Sequence, residues 1–449
     1  CSLDLDVIYL GESGRRNAKA CIVGQHIKFD ADNLQTYVPG EWQPVIYDAM
    51  LVAAAVEVCD LARPRSKIDW ARTFNMTIPV HEPERWNAPN VRHALIRALK
   101  MLTGDDWSIT FRQSLHEQQG PSQATFDFPA HADIVLPFSD GLDSRAVAGI
   151  IASAGRDVVV RVRVGSKRIK KPRPGESSKP FENIPFTTSR IVSGNGESSA
   201  RSRGFKFSLL AGLGAYLIGA DRVVVPESGQ GSLGPVLVNV GQIYFDRRTH
   251  PQFTSLMSEF LQALFGKRIK FEHPVIWNTK GETLAAFRRF DPDTLIWQGT
   301  RSCWQDARHA TVNGEHRQCG VCAACMLRRT SLHAAGYEEP HDNYIWENLD
   351  ASDFWNGAHF DYKNRNQAQQ EYALAGVLHM DHFAALRNAE RLDIIVERQA
   401  LHLASHLGVE FDEAAKRIHR LINAHAEEWS AFVRSLPASS FVRKWVEAA

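Results

Sequence analysis

Period-two alternation opens the chain. In LDLDVIYL and again in KACIVGQHIKF, apolar and polar side chains exchange residue by residue, the repeat of half-buried strands. The apolar stretch VIYDAMLVAAAVEV follows. Between Asn87 and Gly104 a helix is signalled by Val91, Leu95, Leu99 and Leu102 on one face, with Pro89 near its start and glycine just past its end. Residues 1 to about 112 thus read as a mixed α+β region, and the polar Gln113 to Ala130 stretch, with Gly120-Pro121, as a linker or a long hairpin. The rhythm then changes to strand (Asp133 to Phe138), tight turn, helix (from Ser144), strand (Asp157 to Val164), which is that of a parallel α/β sheet. A helix from Phe205 to Ile218 and a strand from Arg222 to Val225 continue it. The VVVP ending of that strand suggests burial on both faces. Residues 165 to 200 are rich in Lys, Pro, Ser and Gly, a loop long enough to act as a lid. Its basic run reads as a solvated face, with phosphate or nucleic-acid contact as the alternative. After residue 340, apolar positions fall at helical spacing to the end. The expected organisation is 1–130 for an α+β accessory domain with its linker, 131–340 for an α/β core, and 341–449 for a helical region.

Composition narrows the class. The 449 residues are 44% hydrophobic and 23% charged, those of an ordinary globular protein, and exceed a single typical core. The formal net charge is +1, so no overall field draws the chain to nucleic acid or an anionic membrane. No apolar run approaches a membrane span, and CSLDLDVIYLG lacks a basic region followed by a long apolar stretch, so a cytoplasmic protein is expected. Four of the seven cysteines lie in one short segment, which points to metal, not to disulfides.

Two motifs carry chemistry. Ser139-Asp140-Gly141-Leu142-Asp143-Ser144 stands directly after a strand and directly before a helix. Ligands bind beyond the carboxyl ends of strands in such sheets, and a helix N-terminus there offers unpaired N–H groups to phosphate. Without a Gly-Lys-Ser/Thr ending it is not a Walker A loop. A capped helix start is the plainer reading of the same residues. The second motif is Cys303-x15-Cys319-x2-Cys322-x2-Cys325. Four thiolates close a tetrahedral shell and suit structural zinc, with an iron–sulfur cluster as the other occupant. His309 and His316 lie within this loop and read as exposed, as do His379 and His382. Cys21 and Cys59 read as small buried groups, and Trp70, Trp86 and Trp107 as core packing.

The hexapeptide resembles the PP-loop pattern Ser-x-Gly-x-Asp-Ser, and the cysteine pattern, ending at Arg328, resembles that of the QueC (7-cyano-7-deazaguanine synthase) family. Other stretches agree. Ala200-Arg201-Ser202-Arg203 before a buried helix, the turn VVVPESGQG, and HPVIWNTKGET are similar to family features, the last to Pro-Leu-x-Trp-x-x-Lys-Ala-Glu-Thr. The likeness covers roughly residues 131 to 340. Family members usually have glycine where Asp140 stands, and Arg145 and Lys280 are candidates to neutralise that extra carboxylate.

The resemblance implies ATP, magnesium and zinc as cofactors. Ser139, Asp140, Gly141 and Ser144 would hold ATP phosphates with magnesium. Asp143, Ser144 and Lys280 would take the catalytic positions, and Arg203 and Glu227 the nucleotide or purine. Cys303, Cys319, Cys322 and Cys325 would hold zinc. The implied reaction activates a 7-carboxy-7-deazaguanine carboxylate as its adenylate. The flanking regions give the plan of enlarged QueC-like proteins of antiphage operons, type IV CBASS and the Qat system. There the activated carboxylate passes to the N-terminal amine of a partner protein. A stand-alone nitrile synthase, an RNA-modifying PP-loop enzyme and a non-catalytic zinc-containing binding module remain alternatives, with a homodimer allowed.

Overall fold

The computed structural model describes residues 2–31, 34, 43–65, 71–116, 132–139, 141–155, 157–165, 184–191, 197, 200–238, 245–307 and 309–448. Most of the expected 113–130 linker, most of the 165–200 loop including its basic run, Trp70 and Asp140 lie outside these residues; the described part of that loop holds a strand, Ile184–Thr188.

In chain order the first half gives β1 (Ser2–Ile8), β2 (Lys19–Ile22), β3 (Ile27–Phe29), α1 (Pro44–Ala62), β4 (Thr73–Val80), α2 (Pro83–Asn87), α3 (Pro89–Thr103) and β5 (Asp106–Gln113). Next come β6 (Ile134–Pro137), α4 (Leu142–Ala154), β7 (Val159–Val162), β8 (Val164–Gly165), β9 (Ile184–Thr188), α5 (Arg203–Leu217) and β10 (Arg222–Val224). They are followed by α6 (Gly229–Leu237), α7 (Pro251–Phe265), β11 (Lys270–Glu272), α8 (Lys280–Phe290), the hairpin β12 (Thr311–Val312) and β13 (Glu315–His316), and α9 (Ala323–Ala334). The tail is helical: α10 (Gln367–Ala385), α11 (Leu392–Leu407), α12 (Phe411–Ser435) and α13 (Phe441–Glu447).

The chain forms two compact units from interleaved stretches. One comprises Cys1–Ser139, Arg156–Val225 and Asp246–His273, and the other Asp140–Gly155, Pro226–Phe245 and Pro274–Ala449.

The first unit holds two parallel sheets, in the orders β2-β1-β4-β5 and β11-β10-β6-β7. Parallel pairing corrects the α+β expectation for the first region. Period-two alternation is the same for either strand direction, and crossover helices α1 and α3 return the chain so that β1, β4 and β5 run the same way. α3 ends as read, at Gly104, whose φ of 72° completes a left-handed cap. Trp86, Trp107, Cys21 and Cys59 are core residues.

α1 is buried almost all round, and its acids are each paired. Asp48 accepts from the His81 and Glu82 amides, Glu57 pairs with Lys206 at 2.6 Å, and Asp60 pairs with Arg72. Arg72, 1% exposed, also meets Asp105 at 2.6 Å. Arg65 also meets Asp105, at 2.8 Å, so Arg72→Leu leaves two buried carboxylates to share one cation and is expected to cost about 3 kcal/mol, the low end for a broken buried pair. A guanidinium chloride midpoint unchanged from wild type would count against this.

β6 and β10 are neighbours, yet the chain leaves β6 for β7 on its other side. They therefore flank the point where strand order reverses, the usual ligand position in such sheets. In the chain, β6 leads to residues 139–144 and β10 to residues 226–228.

Among the described residues, the second unit is helical apart from the β12–β13 hairpin. Leu142 and Ala146 of α4 pack with Leu284 and Phe287 of α8 and Leu332 of α9. Leu233 of α6 and Ile276 pack with Phe383, Val396, Leu403, Ile418 and Leu421 of the tail. Among the described residues, no helix is long and apolar enough to cross a membrane.

Candidate functional site

The helix expected from Ser144 begins earlier, at Leu142, because Ser144 turns back onto the loop. Its Oγ accepts from the Gly141 amide at 3.1 Å and donates to the Gly141 carbonyl at 3.0 Å. The hydroxyl thus fixes the loop as a cap does, and the Asp143 side chain is left in the first turn of α4.

Lys280 is the first residue of α8, and its Nζ lies 2.7 Å from Asp143 Oδ2. Their side chains are only 9% and 17% exposed, respectively. Burial opposes the lysine's charge, but Asp143 and Glu227 outweigh it and raise the Lys280 pKa above its ordinary 10.5. Three residues remote in sequence therefore form one charged group. The other Asp143 oxygen, Oδ1, is buried with no hydrogen-bond partner among the described residues. A hard oxygen donor in that condition fits a magnesium ion. Glu227 folds over the start of α6, where any Cβ on Gly231 would strike its carboxylate.

Arg145, considered beside Lys280 as a partner for Asp140, donates from Nη1 to the Gln298 carbonyl at 2.5 Å. Ser139 and Arg203 belong to the first unit. The Arg203 guanidinium there stands 5.3 Å over the Phe207 ring.

The first turn of α8 is held from several sides. Thr279 and Glu282 form a reciprocal cap: Glu282 N donates to Thr279 Oγ1 at 3.0 Å, and Thr279 N donates to Glu282 Oε2 at 2.8 Å. The spacing Thr-x-x-Glu in TKGE is the sequence sign of this box. The Lys280 amide donates to Gln230 Oε1 at 2.8 Å, and Thr279 Oγ1 donates to Glu428 Oε1. Gln230, from α6, lies within the VVVPESGQG turn, whereas no local pattern marks His425 or Glu428, which come from α12.

Burial lifts the Glu428 carboxyl from 4.5 to about 7. The folded chain therefore keeps a proton that the unfolded chain releases between these values. The stability this contributes is full below 4.5 and is lost as pH rises through about 7. Glu428→Gln removes the titration. Its stability relative to wild type is expected to rise by on the order of 2 kcal/mol between about pH 5 and pH 8, after discounting for partial exposure. Parallel thermal melting curves at both pH values would refute this.

The four cysteine sulfurs lie within 4.8 Å of one another. Zinc–sulfur bonds of about 2.3 Å in a tetrahedron require sulfurs about 3.8 Å apart. Cys319 Sγ and Cys325 Sγ are separated by 3.8 Å. Backbone amides support the sulfurs: Cys319 N donates to Cys303 Sγ at 3.2 Å and Cys322 N to Cys319 Sγ at 3.3 Å. The cluster could bind zinc. Arg328, fully buried, donates to both oxygens of Glu339, at 2.9 and 2.6 Å. His316 is exposed as expected, whereas His379 is mostly buried.

Residues 241–336, which contain Lys280 and the four cysteines, match the family model for QueC, described as queuosine biosynthesis protein QueC. Part of the chain is a QueC-family domain. A 7-cyano-7-deazaguanine synthase from Cupriavidus taiwanensis is 35% identical over 75 residues, 17% of this chain and 29% of that protein. The chain thus spans under a third of this curated relative's length. No solved structure matches.

Proposed function

We propose that this chain is an ATP-dependent C–N bond-forming ligase that activates 7-carboxy-7-deazaguanine as its adenylate. The carboxylate then passes to the N-terminal amine of a partner protein, in antiphage defence. The observation that carries the reading is the Lys280–Asp143 pair: a lysine from the QueC-matched segment meets the aspartate of a loop with the PP-loop pattern, 137 residues earlier in the chain (280 minus 143).

A carboxylate is a poor electrophile because its oxygen leaves poorly, and transfer to AMP supplies a good leaving group. Gly141 and Ser144, with Ser139 and Asp140, would cradle the departing pyrophosphate through amides at the start of α4. Magnesium held at Asp143 would share the pyrophosphate charge. Lys280 supplies a fixed cation where negative charge develops, already oriented by Asp143. Glu227 would accept from the N–H and amino edge of a guanine-like base, as acidic side chains accept from base amines, and Arg203 would contribute to nucleotide binding. Zinc at the cysteines would be structural. Residues 1–130 and 341–449 would recognise the protein substrate.

The similarity to the Cupriavidus 7-cyano-7-deazaguanine synthase favours a second reading, an enzyme that forms the nitrile from carboxylate, ammonia and ATP. Intact-mass spectrometry of candidate partners, incubated with the chain, ATP, magnesium and 7-carboxy-7-deazaguanine, separates the two. An ATP-dependent mass gain on a protein N-terminus, abolished by Asp143→Ala, supports the ligase. Nitrile without adduct replaces it with the synthase, and release of no pyrophosphate removes both.

A further inference from the structure

The helical tail lies outside the QueC-matched residues, yet α12 reaches the turn that carries Lys280. The Gln230 carboxamide is the bridge. Its Oε1 accepts the Lys280 amide, and its Nε2 lies 2.8 Å from His425 Nδ1 and 3.4 Å from Glu428 Oε2. His425 Nε2 lies 2.8 Å from the Met380 carbonyl, which can only accept. The single proton of the neutral imidazole therefore sits on Nε2, and Nδ1 accepts from Gln230. This fixes the amide's orientation: reversed, it would set an oxygen against Nδ1 and a donor against the Lys280 amide.

Glu428, one turn further along α12, accepts from Thr279, the residue that caps α8. Arg420, on the same helix, donates to the Trp277 carbonyl at 2.8 Å and to Glu282. Gly281 leaves the necessary space. A Cβ there would lie inside van der Waals contact of Glu428 Oε1 and 2.9 Å from Ala334 Cβ.

We propose that His425 and Glu428 are positioning residues for Lys280, acting through Gln230 and Thr279, and that Gly281 is the feature that admits them. The tail thereby holds the first turn of α8 in the register at which Lys280 Nζ meets Asp143. This rests on the catalytic assignment of Lys280 for its consequence in turnover, but not for its geometry.

The test uses the full chain and two readouts. Competitive acylation followed by mass spectrometry reports the reactivity of the Lys280 amine without any substrate. Pyrophosphate release reports kcat and KM. Glu428→Ala is expected to raise Lys280 labelling severalfold and to lower kcat by roughly 10- to 100-fold with the KM for ATP little changed, since misplacement by about 1 Å costs this much. Glu428→Gln, which keeps an acceptor for Thr279, should recover most of both.

Gly281→Ala disturbs the same contact from the other side, so the proposal does not depend on one variant folding. It should mimic Glu428→Ala, and the double variant should be no worse than either single one. Wild-type labelling of Lys280 in both Glu428→Ala and Gly281→Ala would overturn the proposal. If the wild-type chain releases no pyrophosphate, the functional reading fails, while the labelling still decides the positioning.

Discussion

Lys280→Ala is expected to slow pyrophosphate release by about 10²- to 10³-fold, the loss of one preorganised charge worth ~3–4 kcal/mol in a transition state. The effect is placed in kcat because Lys280 is already oriented before substrate arrives: its side chain is buried, with its ammonium 2.7 Å from Asp143. Lys280→Arg should not restore the rate, since a planar fork cannot occupy the space of a compact ammonium in so closed a site. Asp143→Asn keeps the volume but removes both the lysine's counter-charge and the charge on the orphaned Oδ1. It is therefore expected to be at least as damaging and to weaken the response to magnesium. The pH sign follows from the raised Lys280 pKa. The lysine's charge is fully present below its ordinary 10.5 and is lost only as pH rises through the raised value. The wild-type-to-variant ratio should thus stay flat across neutral pH. Single-turnover rates within threefold of wild type for Lys280→Ala would remove this residue from the chemistry.

What was legible in the sequence was what is local. The loop after β6 is a strand, a small-residue turn and a helix start in consecutive residues, and three of the four cysteines lie within seven residues. The helices of the tail announce themselves by spacing. Strand direction was not legible, because β1, β4 and β5 alternate identically whether parallel or antiparallel, and only the crossover helices decide. The partners of the α1 acids were also hidden. Glu57 finds Lys206 across 149 residues, and nothing in VIYDAMLVAAAVEV says where a buried carboxylate will find its cation. The same holds at the candidate site. Lys280 and Asp143 could each be singled out from motifs, but their meeting could not. Gln230, within VVVPESGQG, meets Glu428 across 198 residues, and Glu428 has no motif. The capping box at Thr279 and Glu282 is the exception, being written in the sequence and read only with the structure.

Cys322→Ser tests the metal assignment and the reach of the tail together. Cys319, Cys322 and Cys325 are not appended to a loop but belong to a core with Trp346, Val377, Trp429 and Phe432. A metal that ties them is therefore part of the folding energy of that core. Serine is a poorer zinc ligand, and three buried thiols without their ion leave the start of α9 without its anchor. The expected result is loss of bound zinc, measured by plasma mass spectrometry. A destabilisation of about 4 kcal/mol or more would lower the melting temperature by roughly 10 °C. Iron in place of zinc, with visible absorbance, would favour the cluster reading. Zinc content and melting temperature unchanged from wild type would show the four-cysteine assignment to be wrong. Because Trp429 of this core adjoins Glu428 on α12, the damage should extend beyond the cysteines. Lys280 should become more reactive to acylation in Cys322→Ser, although the substitution alters no residue that touches the lysine.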